Sequence, residues 1–135
     1  MSEFNFRKLK VWNSSRSLVK GIYSLTASFP KEETFGLTSQ LRRAAISVSS
    51  NIAEGAGRTS PKDKMRFYEM AYGSLTEVVN QLILACDIGF LTENDITAIQ
   101  TNAEEIGRML SGIRRSVQKM IENPTTIHDP EFEYI

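Results

Sequence analysis

The sequence predicts an all-α protein, specifically an antiparallel up-down-up-down four-helix bundle. Three observations support this fold class. Four segments carry apolar residues at helical spacing, proline, glycine and capping residues separate them, and no alternating apolar pattern with a hairpin turn is present. Because the connections are short, consecutive helices are expected to pack as antiparallel neighbours. We expect one domain over residues 1–120 and an acidic, flexible tail over 121–135, which has no helical period after Pro124.

The first helix is predicted over about residues 9–29. Its apolar stripe recurs at alternating spacings of three and four residues: Val11, Ser15, Leu18, Ile22, Leu25 and Phe29. Pro30 cannot continue a helix, so the segment "PKEETFG" is expected to be a short polar connection.

The second helix is predicted over residues 37–57, "LTSQLRRAAISVSSNIAEGAG", and contains many small residues. Ile46 points away from its core stripe, together with Ser49 and Ala53, and small residues allow another helix to approach closely. The glycines at 55 and 57 suggest a phosphate loop, but they follow a helix instead of a strand. A helix end followed by a connection is therefore the preferred interpretation.

The third helix is predicted over residues 61–88, between an N-cap at Ser60–Pro61 and a C-terminal glycine at Gly89. Its predicted core stripe is Met65, Tyr68, Tyr72, Leu75, Val79, Leu82 and Cys86. Further apolar residues lie outside that stripe: Val78, Ile83, Leu84 and Ile88. Apolar surface beyond one stripe per helix predicts self-association, with Ile46, Ser49, Ala53, Ile83 and Leu84 at the interface.

The fourth helix is predicted over residues 93–120, starting after Thr92 with Asp95 three residues later. Its stripe is the most regular in the chain: Ile96, Ile99, Ala103, Ile106, Leu110, Ile113, Val117 and Met120. Phe132 and Tyr134 are candidate docking points within the tail that follows.

Charge is distributed unevenly along a chain whose net charge is zero. Residues 1–66 hold 12 Lys/Arg and 5 Asp/Glu, whereas residues 67–135 hold 4 and 11. A solvated surface is the simplest explanation, but an oligomer would repeat each basic patch and multiply its phosphate contacts. The residues predicted to contact nucleic acid are Arg42, Arg43, Arg58, Lys62, Lys64 and Arg66.

No residue constellation points to catalysis, a metal or another cofactor. His128 is the one histidine and Cys86 the one cysteine, whereas zinc or di-iron sites need several such ligands. Asn51 and Glu54 share a helix face with Arg58, and we interpret them as a structural polar cluster. The lone cysteine and the absence of a long apolar segment favour a cytoplasmic protein with no membrane role.

Three segments resemble a known family: "FRKLKVWNSSRSLV", "FPKEETFGLTSQLRRAAISVSSNIAEGAGR" and "GSLTEV". They look like the four-helix-bundle proteins encoded by intervening sequences of large-subunit ribosomal RNA genes, over about residues 4–118. The resemblance implies a homopentameric ring without known enzymatic activity. A related protein is the accessory protein of diversity-generating retroelements, a basic pentamer that works with a reverse transcriptase and its RNA.

The leading hypothesis is a non-enzymatic oligomeric scaffold or accessory protein that binds structured RNA through its basic surface. One alternative is a protein–protein adaptor that uses the apolar rim or the acidic tail and has no nucleic-acid role. Another is an enzyme centred on Asn51 and Glu54, which would require these groups to line a solvent-reachable pocket.

Overall fold

The computed structural model describes residues 4–124, which form four long helices. These are α1 (Lys10–Thr26), α2 (Leu37–Gly57), α3 (Pro61–Ile88) and α4 (Glu93–Glu122), with short 3-10 turns at Asn5–Lys8 and Lys31–Glu33. No β-strand occurs within residues 4–124, so the all-α class with four helices is confirmed. None of the helices in this part of the chain is long and apolar enough to cross a bilayer.

The helices enclose one apolar core. Each helix packs against the next along the chain, and α1 also packs against α4, so that every helix has two neighbours. Fully enclosed side chains come from all four helices, for example Leu18, Leu41, Leu82 and Leu110. Burial of such side chains stabilises the fold by roughly 1.5–3 kcal/mol for each large aliphatic residue.

Both ends of α3 and the start of α4 carry the capping residues that the sequence predicts. The Ser60 hydroxyl accepts a hydrogen bond from the Asp63 amide at 3.4 Å, and Pro61 occupies the first turn. Gly89 has a left-handed backbone with φ of 95°, which a residue with a side chain rarely adopts. Thr92 and Asp95 form a reciprocal capping box at the start of α4.

The first helix is shorter than predicted, and the fourth is longer. The predicted α1 was too long, because Phe29 was counted as the last residue of its apolar stripe. In the structure α1 ends at Thr26, and Phe29 lies in the turn that follows. Pro30 disfavours helical backbone in the preceding residue, yet the Phe29 side chain still reaches the core. At the other end of the chain, α4 continues to Glu122 instead of stopping at residue 120.

The core face of α3 differs from the predicted stripe. Ala71, Val78 and Ala85 are buried, whereas Tyr72, predicted to lie in the core, is 37% exposed. The assignment of Val78 to excess apolar surface was therefore wrong. The predicted stripe consisted of larger residues and left out Ala71 and Ala85, which the structure places in the core.

Three contacts along α2 and α3 define what we call the α2–α3 seam. The Gln81 amide donates to Gln40 Oε1 at 3.2 Å, and the hydroxyls of Ser47 and Ser74 lie 2.8 Å apart. At the third level, the Tyr68 ring packs on Gly55, where an added Cβ would lie 2.7 Å from Tyr68 Cε1. Gly55 is thus required by helix packing, consistent with its interpretation as part of a helix end.

Candidate nucleic-acid and self-association surfaces

Arg42 lies between α2 and α1 and makes intramolecular contacts there. Its Nε donates to Thr26 Oγ1 at 2.9 Å, and its guanidinium lies 4.4 Å from the centroid of the Tyr23 ring. The Thr26 hydroxyl in turn donates to the Ile22 carbonyl at 2.7 Å. Arg42 therefore ties the first half of α2 to the end of α1, and only part of its side chain is available to a phosphate.

Arg43, next in sequence, is exposed on a different side of α2. It lines a shallow groove of about 330 Å³ between α2 and α3, together with Gln40, Ser47, Ser74 and Glu77. Within residues 4–124, no carboxylate lies within ion-pair distance of Arg43. Its charge is thus accessible to solvent and to a ligand.

The Lys64 side chain forms hydrogen bonds with backbone carbonyls of its own chain. Its ammonium donates to the carbonyl oxygens of Gly55 and Ala56 at 3.2 and 3.1 Å, at the end of α2. The last carbonyls of a helix lack intrahelical partners, so a cation at this point both donates hydrogen bonds and complements the helix dipole. Partial burial lowers the pKa of Lys64 below its ordinary value.

Two arginines flank an aromatic ring at the start of α3. The guanidinium carbons of Arg58 and Arg66 lie 4.5 and 4.8 Å from the centroid of the Phe67 ring. Arg58 also pairs with Glu54 at 2.8 Å, one turn earlier on α2. Lys62 is exposed between them in sequence. We call Arg58, Lys62 and Arg66 the basic connection.

The six predicted phosphate-contacting residues fall into two groups. Arg42 and Arg43 lie in the first half of α2, whereas the basic connection and Lys64 lie beyond its end. The 16 residues from Arg42 to Arg58 correspond to about 24 Å along a helix. A single phosphate cannot contact both groups, but an extended nucleic acid can.

Asn51 and Glu54, predicted to form a polar cluster, make separate contacts. The Asn51 amide donates to the Ser47 carbonyl and hydroxyl at 2.9 and 3.0 Å, and Ser47 reaches Ser74 on α3. Glu54 is exposed and pairs with Arg58. Asn51 thus bonds within α2, and Glu54 pairs with the residue that directly follows α2.

The α2 side of the predicted oligomer interface is partly covered by the chain's own N-terminal segment. Ala53 lines a cavity of about 780 Å³ between this segment and α2, along with Phe4, Phe6 and Arg58. Ser49 is half-buried, whereas Ile46 stays 42% exposed. The small-residue face of α2 is therefore partly covered by the chain's own N-terminal segment near Ala53, whereas it is open to solvent near Ile46.

The α3 side of the predicted interface is exposed. Ile83 and Leu84 are 46% and 42% exposed, and Ile88 is exposed near the end of the helix. Ile83 lines a groove of about 860 Å³ between α3 and α4, which we call the α3–α4 groove. Ile83 and Ala53 thus line different cavities, formed by different pairs of elements.

The sequence matches a known protein family over most of its length. A family model described as 23S rRNA-intervening sequence protein matches residues 7–112. The chain belongs to this family. The resemblance found in the three sequence segments is confirmed. No curated protein sequence matches the chain.

In the described part of this family member, the side chains that could bind a metal ion do not cluster. Within residues 4–124, no three His, Cys, Asp or Glu side chains come together in a metal-binding group. Burial, followed by the nearby carboxylates of Glu93, Asp87 and Asp95, raises the pKa of the Cys86 thiol above its ordinary value. His128, Phe132 and Tyr134 lie outside the described residues.

Two features of the family member were not predicted from its sequence. Phe67 lies outside the α3 stripe, and its contact with two arginines depends on Arg58, which precedes the helix. The close approach of Phe4 and Phe6 to α2 also depends on tertiary packing. The only sequence signal for the contact between Phe67 and the two arginines was an aromatic residue directly after Arg66, within a basic segment.

Proposed function

We propose that the protein is a non-enzymatic scaffold or accessory protein, built as a ring of five up-down-up-down bundles, that binds structured RNA. The observation that carries the RNA role is the basic connection, where two guanidinium groups contact one aromatic ring and an exposed lysine lies between them in sequence. Guanidinium and ammonium groups bind phosphate oxygens, and the charge-assisted hydrogen bonds are strong.

The up-down-up-down topology is supported by how residues pair between neighbouring helices. In two pairs of helices, residue numbers fall along one helix as they rise along its neighbour. On the seam, Gln40 pairs with Gln81 and Gly55 with Tyr68. Between α1 and α4, the Asn102 amide donates to the Ser14 carbonyl and Gly21 lies beside Ile99.

Ring assembly is supported by the position of the exposed apolar residues. A two-fold dimer uses one self-complementary patch, whereas a closed ring needs two different patches that meet head to tail. Ile46 on α2 and Ile83 on α3 are exposed on two separate helices. Five copies would present five basic connections to one RNA.

Binding of a structured RNA at several salt concentrations tests the RNA proposal. Filter binding of the intact protein is expected to weaken linearly in a log–log plot against salt, because neutralised phosphates release counterions. Lys62→Glu combined with Arg66→Glu should weaken binding. It should also make the slope less negative by about 0.7–0.9 for each phosphate that the protein no longer neutralises.

Lys31→Glu combined with Lys20→Glu is the matched control. It makes the same change in net charge at exposed lysines on the 3-10 turn and on α1, away from the basic connection. The control should bind as the unmodified protein does. Equal losses of affinity in both variants would show that only net charge matters, and no binding at low salt would overturn the RNA proposal.

A second candidate function, a protein–protein adaptor, is favoured by one observation. Ile83, Leu84 and Ile88 expose apolar surface along the second half of α3. If the ring leaves this surface open, it would bind an apolar partner surface. Capture of a protein that Leu84→Glu releases and that ribonuclease treatment does not would favour the adaptor over the RNA scaffold.

A further inference from the structure

The α3–α4 groove continues toward the end of α4 as a second concavity. Ser111 and Arg115 line both the groove of about 860 Å³ and the adjoining space of about 380 Å³. The first part is largely apolar and includes Tyr72, Val79 and Ile83. The second part is bounded by Arg114 and Gln118 and lies closer to the end of α4.

The wall formed by α4 carries several arginines. Arg108, Arg114 and Arg115 line the two spaces, against Glu69 and Glu104 as acids. The Arg114 guanidinium lies 5.0 Å from the centroid of the Tyr72 ring, and within residues 4–124 its buried Nε has no hydrogen-bond partner. A segment that combines acids with aromatic residues would complement this surface, because buried donors and cationic groups favour carboxylate acceptors.

The chain itself contains a segment with this chemistry after the last described residue. Residues 125–135, "TTIHDPEFEYI", place Asp129, Glu131 and Glu133 around Phe132 and beside Tyr134. The segment has three acids and no Lys or Arg, and two residues separate it from the end of α4.

The length of this segment is sufficient to reach the groove. Gly107, in the apolar part of the groove, lies 15 residues before Glu122, which is about 22 Å along α4. The eight residue-to-residue steps from Pro124 to Phe132 span at most about 26–29 Å when extended. Pro124 opposes continuation of the helix, which favours a change of chain direction at this point.

We propose that residues 125–135 dock in the α3–α4 groove of the same chain. The acids of the segment face the arginines of α4, and Phe132 and Tyr134 cover the part of the apolar wall formed by Tyr72 and Val79, which leaves Ile83 open to a neighbouring protomer. The tail would then shield one apolar surface of the protomer and neutralise arginines that would otherwise attract phosphate. This proposal holds whether or not the basic connection binds RNA.

Photo-crosslinking of the full chain tests the docking. Phe132→p-benzoylphenylalanine is expected to crosslink, on irradiation, to residues that line the α3–α4 groove, as mapped by mass spectrometry of the digested protein. The same photoreactive residue at Phe35, which is almost fully exposed before α2, serves as the positional control. It should give no crosslink to the groove.

Charge variants test the electrostatic part of the proposal. Arg108→Glu should lower the crosslink yield about two- to fivefold, the range expected for one exposed ion pair. Adding Glu131→Lys should restore part of that yield. Arg43→Glu, an equal charge reversal on α2, should leave the yield unchanged.

The mass of the crosslinked species on a denaturing gel decides which chain provides the segment. Intrachain crosslinks migrate as a single chain and support the proposal. Crosslinks that join two chains would show the tail docked on a second copy and overturn it. Crosslinks spread evenly over the surface, or absent from α3 and α4, would overturn it as well.

Discussion

At the scale of single residues, the cations that look alike in the sequence have different roles. Lys64 donates to two carbonyls at the end of α2, whereas Lys62, two residues earlier, is exposed. The sequence could place both near the start of α3. The sequence could not show which lysine would donate hydrogen bonds to backbone carbonyls, because the two carbonyls belong to the preceding helix.

Replacing these lysines should separate the structural role from the surface role. Lys64→Met is expected to lower the free energy of unfolding by about 1 kcal/mol, since two α2 carbonyls lose their donor. Lys62→Met should change it by less than about 0.5 kcal/mol, as is usual for exposed positions. Urea unfolding of both variants checks this, and equal effects would contradict the assignment of Lys64 to the end of α2.

The buried phenol of Tyr68 is expected to make the stability of the protein depend on pH. Its side chain is fully enclosed and burial raises the pKa of its phenol above the ordinary value. In the unfolded chain tyrosine ionises near about pH 10, so the unfolded state loses this proton first as the pH rises. The contribution of Tyr68 to stability is therefore present below about pH 10 and declines above it.

Tyr68→Phe should remove that decline. The Tyr68 hydroxyl is buried and has no hydrogen-bond partner within residues 4–124. Its removal is expected to leave stability unchanged or to raise it by up to about 1 kcal/mol at neutral pH. The difference between the unfolding free energies of the two proteins, followed from about pH 8 to pH 11, should widen as the pH rises above about 10. A constant difference would contradict a buried, neutral phenol.

At the scale of helices, the close approach of α2 and α3 is governed by Gly55. Gly55→Ala should destabilise the protein by about 1–3 kcal/mol, because the new methyl group would collide with the Tyr68 ring. Gly73→Ala is the matched control. It lies in α3 with open space around it and should gain roughly 0.5–1 kcal/mol from helix propensity.

Thermal unfolding of the two alanine variants measures these opposite effects. Combining Gly55→Ala with Tyr68→Leu, which removes the clashing ring, should cost less than the sum of the two single changes. Strict additivity of the three unfolding free energies would show that Gly55 and Tyr68 do not interact.

Helix boundaries were predictable where a residue dictates a backbone conformation. Pro61, Gly89 and the Thr92–Asp95 box restrict the chain locally, so the ends of α3 and the start of α4 follow from the sequence. The core face of α3 was less predictable, because Ala71 and Ala85 are fully buried although neither is a large apolar residue. The Phe67 contacts belong to the same category, since they join residues from two elements.

At the scale of the whole molecule, the proposed ring places Ile46 of one protomer against the Ile83 side of the next. Ile46→Glu and Ile83→Glu should each convert the ring into smaller species, as a buried unpaired carboxylate is strongly unfavourable. Met70→Glu is the control, because Met70 has nearly the same exposure as Ile46 but lies outside the predicted interface. Light scattering coupled to size-exclusion chromatography gives the masses.

A charge swap tests whether those two surfaces meet. The double variant Ile46→Lys with Ile83→Glu should recover association better than the variant with Glu at both positions, and this recovery should weaken with added salt. A pentamer that survives all of these changes would place the interface elsewhere. A monomeric unmodified protein would contradict the ring itself.

The α2–α3 seam also bears on whether such a ring can close. Its three levels, Gln40–Gln81, Ser47–Ser74 and Gly55–Tyr68, would all be broken if α3 slid along α2 by one turn of about 5.4 Å. Such a slip would shift Ile83 relative to Ile46 within every protomer. Because head-to-tail contacts repeat the same offset at each step, the shifts would accumulate and produce an open spiral instead of a closed circle. In the proposed ring, the axial register inside each bundle would therefore set the pitch of the assembly, and the seam would keep that pitch at zero.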